Sequence, residues 1–434
     1  MDDDGVVKPA DHDGAGRPDA TVRDASINGR RRRFASRLGM LGPAFVAAVA
    51  YVDPGNVATN LKAGARYGYL LVWVLVVATA SAGVVQYLSA KLGVATGASL
   101  PELVGRRLGR RARITYWLQA EGVAMATDLA EVIGGAIALS LLFDLPLVLG
   151  GVIAGLVSLA LLSVQNRRGQ QPFERVITGL LLIIAVGFVA GLFVAPPSAA
   201  EVAAGLVPRF DGLDSVLLAT AMLGATVMPH VVYLHSALTR DRFGQIPPGE
   251  PRRRLLSATK TDVVFAMALA GTVNISMLLL AASALRGSDD VQTIEGAHAA
   301  VQQSLGPVVG TLFALGLLAS GLASTSVGCY AGSVIMEGLV RVRIHLLVRR
   351  VITLIPALIV LAVGADPTTV LIISQVVLSF GLPFVLVPLL RLTSDPELMG
   401  KDSNGPGVRF VGWLITAAIV TLNGVLIVGV IAGF

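Results

Sequence analysis

Asp53, Pro54, Gly55 and Asn56 stand in a row inside an otherwise apolar run, and Met228, Pro229 and His230 do the same farther along the chain. Each set puts a helix breaker beside side chains able to bind metal ions, where a membrane-spanning helix should be unbroken. An acid near the bilayer centre costs roughly 2.5–3.5 kcal/mol on insertion scales. Unwound backbone in lipid is costlier still, unless it lines a cavity inside the protein. Two such interruptions in separate halves of one chain point to a transport site at mid-membrane depth.

In the first set, Pro54 supplies no backbone N–H and clashes with the preceding turn. It also pushes Asp53 out of helical geometry, and Gly55 adds flexibility. The expectation is a helix that stops at Asp53 and restarts near Asn56. The Asp53 carboxylate, the Asn56 amide and a freed carbonyl at Ala50 are then oxygen ligands for a cation. The plainer reading is a proline kink with an N-cap aspartate, disfavoured at membrane depth because the burial cost demands compensation. In the second set, Met228 precedes Pro229 as Asp53 precedes Pro54, so its thioether and the Ala225 carbonyl flank the break. Sulfur suits transition metals and is poor for Mg²⁺ and Ca²⁺, which want oxygen. The plainer reading, methionine as packing filler, weakens beside a second break. His230 falls about 200° around the helix from Met228, which argues against one shared ion and favours a proton-relay or cavity-lining role. His235 is expected near the cytoplasmic end, at the membrane interface.

A third group is Glu121, Thr127, Asp128 and Glu131. Spacings of three and seven put the three acids on one helix face, and acids within a span read as a proton or ion path. The alternative is a set of buried salt bridges between helices. Arg349 and Arg350 are natural partners for these acids, or else ordinary cytoplasmic anchors. Gln375, Asn274 and Asn423 are buried amides suited to hydrogen bonds between helices; Gln375 is also suited to contact an ion or its water.

These residues need long apolar elements to hold them. Of the 434 residues 54% are hydrophobic and 14% charged, against about 25% charged in a soluble protein. The chain therefore reads as an all-α polytopic membrane protein. Eleven apolar segments are long enough to span, at roughly 42–62, 69–93, 113–141, 146–165, 174–194, 213–238, 261–285, 306–336, 350–364, 369–391 and 408–433, since about 20 residues cross the hydrocarbon core. Residues 1–35 read as a disordered cytoplasmic tail and 36–434 as one transmembrane domain. No cleavable signal peptide is visible. Every second loop is rich in arginine, as at Arg106–Arg113, Arg240–Lys260 and Arg341–Arg350. This predicts a cytoplasmic N-terminus and, with an odd number of spans, an extracellular C-terminus. The interrupted segments are the first and sixth. An offset of five predicts an inverted repeat, about 42–194 against 213–391, with an eleventh helix at 408–433 outside it. The net charge of +6 sits in short loops and does not suggest nucleic-acid binding. Cys329 is the single cysteine, so no intrachain disulfide or cysteine metal cluster exists. No P-loop, HExxH motif or repeated filter sequence is present, which excludes an ATP-driven pump and a zincin protease and gives no support to a channel.

The DPGN of segment one, the MPH of segment six continuing as Val-Val-Tyr-Leu-His235-Ser, and Thr127-Asp128-Leu-Ala-Glu131 together resemble the Nramp family of proton-coupled divalent metal transporters. The likeness runs from about residue 35 to the C-terminus. It implies a LeuT-type fold of ten inverted-repeat helices plus one, in the cell membrane, and the chemistry of a bacterial manganese/iron importer. It implies metal ligands at Asp53, Asn56, Met228 and the carbonyls of Ala50 and Ala225, with Gln375 approaching the ion. It assigns Asp128, Glu131, Glu121, His230, Arg349 and Arg350 to a proton pathway. The expected activity is import of Mn²⁺, with Fe²⁺ and other transition metals, coupled to H⁺ entry. No cofactor and no enzymatic activity are expected. The proton binds Asp53 or Asp128, and segments one, five, six and ten move against the rest. A proton-coupled amino-acid or amine carrier on the same fold is the rival reading.

Overall fold

The protein is described by a computed structural model covering residues 42–168, 170–286, 293–342 and 344–432. The expected tail at 1–35 lies outside these residues. The first expected span is two helices, α1 (Pro43–Ala50) and α2 (Pro54–Tyr67). The second and third are α3 (Val72–Thr96) and α5 (Arg110–Phe143), joined by the short α4 (Leu100–Arg107). The fourth is α6 (Leu147–Arg168); the fifth is α7 (Gln170–Val189) continued by α8 (Gly191–Val194). After a short α9 (Ala199–Gly205), the sixth span is again two helices, α10 (Gly212–Thr226) and α11 (Pro229–Phe243). Then follow α12 (Glu250–Ala284), α13 (Ile294–Leu305), α14 (Pro307–Val340), α15 (Leu346–Ala362) and α16 (Pro367–Thr393). A short α17 (Pro396–Met399) leads to α18 (Pro406–Ala432). Among the described residues eight helical stretches are long and apolar enough to cross a membrane. They match the second, third, fifth to eighth, tenth and eleventh expected segments. The other three are the broken α1–α2, the shorter apolar part of α6 at Leu147–Ser163, and the 17-residue α15.

Two expectations need correction, and one feature of the loops went unread. The seventh helix begins at Glu250, not near 261, because the charged turn Glu250–Arg254 extends it beyond the apolar stretch. The connections hold surface helices that hydropathy does not show; at the start of α4, Glu102 Oε2 accepts from the Ser99 N–H at 3.0 Å, one half of a capping box. The first break lies earlier than expected. Helix α1 ends at Ala50, and α2 restarts at Pro54 itself, because proline is welcome at the first helical position, where its missing N–H costs nothing.

The outward surface carries apolar side chains such as Leu182, Ile183, Val186, Ile355, Ile359 and Val428, all about half exposed or more. Asp53, Asp128, Glu131 and Arg350 are fully buried. This inside-out placement of charge is that of a multi-pass membrane protein. The halves of the two broken helices pair across the molecule: α1 packs against α11, and α2 against α10. Helix α5 packs most extensively on α14, the third span on the eighth. The breaks are wedged in place by close contacts. A Cβ on Gly134 of α5 would lie 2.1 Å from the Pro54 ring, so only glycine lets that ring seat.

Two glycines on one helix therefore separate packing from propensity. Gly134→Ala is expected to destabilise the fold by about 1–3 kcal/mol through overpacking. Gly122→Ala, where an added Cβ meets nothing within 4 Å, is expected to be neutral or stabilising by up to about 1 kcal/mol. Melting temperatures in detergent check both; equal melting temperatures would contradict the wedge.

Candidate functional site

The breaks expose carbonyls that the helices cannot satisfy. In a helix the carbonyl of residue i bonds the N–H of i+4, and residues 54 and 229 are both proline. Ala50 and Ala225 thus lose their helical partners by sequence alone. Tyr51 and Val52 lie between the two helices and turn their carbonyls to neighbouring spans, while the Asp53 carbonyl accepts from the Val57 N–H of α2. Asn274 Nδ2 on α12 donates to the Tyr51 carbonyl at 2.6 Å, and Ser320 Oγ on α14 donates to that of Val52. Asn274 also accepts from Asn60 Nδ2 at 2.9 Å, so one amide holds both sides of the first break.

Asp53 closes the gap from the other end. It caps α2, its Oδ1 accepting from the Asn56 N–H at 2.8 Å and from Asn56 Nδ2 at 2.7 Å. The plain N-cap reading is therefore correct as far as it goes, but the carboxylate does more. Its Oδ2 accepts from Gln375 Nε2 of α16 at 3.3 Å. Asn56 Nδ2 reaches across to the Ala225 carbonyl of the second break at 3.0 Å. Thr226 Oγ1 donates to Asn56 Oδ1 at 3.5 Å. Gln375 fits because Gly55 has no side chain: a Cβ there would lie 1.8 Å from Gln375 Nε2. Met228 lies between α10 and α11, in the second break. Asp53, Asn56, Met228, Ala50, Ala225 and Gln375 all have zero exposure, so the site is closed to both faces. The structure thus gathers Asp53, Asn56, Ala225 and Gln375 into one hydrogen-bonded cluster spanning both breaks.

The acids of α5 form a second buried layer. Asp128 and Glu131 are fully buried, and none of their four carboxylate oxygens has a hydrogen bond of ordinary geometry among the described residues. They converge on α14: a Cβ on Gly328 would lie 2.8 Å from Glu131 Oε2 and 3.2 Å from Asp128 Oδ1. Glu121 pairs with Arg349 Nη1 at 2.6 Å. Arg350 is fully buried and bonds Ser158 Oγ of α6 through Nε at 2.8 Å. With 3% and 0% exposure respectively, neither arginine is a surface anchor. His230 is also fully buried, its Nδ1 3.3 Å from Thr127 Oγ1, which joins α11 to the acid-bearing helix. His235 is not at the interface as expected. It is fully buried, with Nδ1 2.7 Å from Gln86 Oε1, and Gln86 in turn donates to the Tyr51 hydroxyl beside the first break. Asn423 behaves as expected, bonding Ser379 between α18 and α16.

Sequence reasoning missed Ser320, Gln86, Tyr51, Thr226 and Ser158. Gln86 was findable as a lone amide in an apolar run. Single serines and threonines were not, because such residues often bond their own helix.

The Glu121–Arg349 pair is buried deeply enough to test. Arg349→Leu leaves the Glu121 carboxylate uncompensated and is expected to cost about 3–5 kcal/mol, while the double variant Glu121→Leu/Arg349→Leu recovers most of that loss. Melting temperatures of the three variants check the coupling; additive losses would contradict it.

Comparison with known proteins bears on the family and the fold. Residues 44–429 match the family model Nramp, described as natural resistance-associated macrophage protein-like. The chain is 59% identical over 394 residues to the divalent metal cation transporter MntH of Mycobacterium tuberculosis strain H37Rv, covering 91% of this chain and 92% of that one. Its structure resembles that of the Eremococcus coleocola manganese transporter in complex with an aromatic bis-isothiourea compound, with a TM-score of 0.82, 31% identity and coverage of 91% and 87%. It also resembles MhsT in complex with L-phenylalanine, at a TM-score of 0.61, 13% identity and coverage of 88% and 98%. That last likeness shows the fold alone, which is of the LeuT type.

Proposed function

The chain belongs to the Nramp family, and from that premise we propose that it imports divalent transition metals, Mn²⁺ foremost with Fe²⁺ also accepted, coupled to the entry of H⁺. The observation that carries this reading is the single Asn56 carboxamide bonded at once to Asp53 and to the Ala225 carbonyl. Those acceptors are ligand-type oxygens, drawn from both broken helices into one closed place. Turning the Asn56 amide over exchanges Nδ2 for Oδ1 and presents oxygen throughout, which is the donor set a cation needs. Asp53 supplies charge, Asn56, Ala50 and Ala225 supply oxygen, and Met228 supplies the soft ligand that rejects Ca²⁺ and Mg²⁺. Gln375, held on Gly55, follows the ion or its water.

The proton binds Asp53 or Asp128 and leaves along Glu131, Asp128 and Glu121 on α5, with His230 joining the two sites and Arg349 and Arg350 as counter-charges. The unpartnered oxygens of Asp128 and Glu131 support this role, because a carboxylate fully engaged in salt bridges would not release or accept protons readily. The orientation follows the arginine-rich loops: N-terminus cytoplasmic, C-terminus extracellular, in the plasma membrane. Segments one, five, six and ten, drawn from the two repeats at about 42–194 and 213–391, move against the rest around the site.

Proteoliposomes test the reading. Mn²⁺ influx is expected to saturate and to acidify the lumen; linear influx without acidification would indicate a passive channel. Asp53→Ala is expected to abolish calorimetric Mn²⁺ binding, and Met228→Ala to admit Ca²⁺ while retaining Mn²⁺. Undiminished Mn²⁺ binding by Asp53→Ala would favour the amino-acid carrier, and unchanged exclusion of Ca²⁺ by Met228→Ala would remove the selectivity role of sulfur.

A further inference from the structure

Among the described residues, Arg350 is the largest of the fully buried side chains. Its Nε donates to Ser158 Oγ, while Nη1 and Nη2 find no partner among the described residues. Ser158 is also fully buried. Its single hydroxyl proton is committed to the Gly155 carbonyl at 2.7 Å, so towards Arg350 it can only accept. The guanidinium is a rigid planar fork, and fixing Nε–H fixes the direction of the four N–H groups on Nη1 and Nη2. The charge of Arg350 acts on both Asp128 and Glu131, yet no described hydrogen bond or ion pair joins it to either acid. Around it, α5 presents Asp128, Glu131 and the Arg349-paired Glu121, α15 presents Arg349, and α14 presents Cys329. Helix α6 brings no charged residue between Leu147 and Ser163. The serine is therefore the only group from α6 that engages the guanidinium through a described hydrogen bond.

We propose that Ser158 is a positioning residue for proton transfer, tethering Arg350 so that its guanidinium faces Asp128 and Glu131 without collapsing onto either in a closed salt bridge. This rests on the proton-coupled reading above. A bidentate arginine would hold a carboxylate ionised and lower the pH at which it takes up a proton. A guanidinium held back by the serine balances the acids and leaves their oxygens free to exchange protons.

Ser158→Thr and Ser158→Val are the test, since the two have nearly the same shape and differ in the acceptor oxygen. In proteoliposomes, Ser158→Val is expected to bind Mn²⁺ with wild-type affinity by calorimetry. Its uptake should need a lower external pH, by about one to three units, and it should carry several-fold fewer protons per Mn²⁺. Ser158→Thr is expected to restore both readouts. Wild-type pH dependence and proton ratio in the Val variant would overturn the proposal. So would a Val variant that fails to fold while the Thr variant folds, because the hydroxyl would then be structural. A wild-type protein that moves Mn²⁺ without protons would overturn the coupled reading itself and this proposal with it, an outcome distinct from a coupled wild type with an indifferent Ser158.

Discussion

Everything in this molecule depends on two missing N–H groups. Pro54 and Pro229 withdraw the donors that Ala50 and Ala225 would use in an unbroken helix. In water such carbonyls would be hydrated at little cost. At membrane depth an unpartnered carbonyl costs several kcal/mol, so the surrounding spans must answer it. They do so with particular side chains: Asn56 for Ala225, Asn274 for Tyr51 and Ser320 for Val52. The polar interior is the consequence of the breaks, and the site is what that interior encloses.

This constraint also explains the packing around the site. Hydrogen bonds to freed carbonyls require neighbouring backbones to come close, and close approach at these crossings requires small residues. Gly55 makes room for Gln375, Gly134 for the Pro54 ring, and Gly328 for the acids of α5. Packing and polarity are thus one design. Filling the gap at Gly55 would move Gln375 away from Asp53.

The spans and the site core were legible because they follow from gross physics. Apolar length located eight helices able to cross a membrane, and the proline motifs pointed to Asp53, Asn56 and the Ala225 carbonyl, which the fold joins by hydrogen bonds. The boundary of α12 was not legible, because a charged turn can prolong a helix beyond the lipid. His235 was misplaced for the opposite reason: its distance along the helix suggested an interface, while the packing of α11 on α3 buries it beside Gln86. Ser158 and Ser320 were invisible, since a serine in a span declares its partner only when the fold brings one. The face of α5 was read correctly, but the mutual arrangement of its acids and arginines was not available from spacing on one helix.

The two buried layers are mechanically joined. Gly134, which seats Pro54, lies one turn beyond Glu131 on α5. Ser320, which holds the Val52 carbonyl, lies two turns before Gly328 on α14. Thr127, adjacent to Asp128, meets His230, two residues after Met228. Each broken segment therefore touches α5 within one turn of an acid. A shift of either break large enough to admit an ion cannot leave α5 undisturbed, because close-packed interiors transmit strain rather than absorb it. On the proposed proton-coupled reading, cation and proton need no shared ligand: the closely packed α5–α14 pair carries the displacement from one layer to the other.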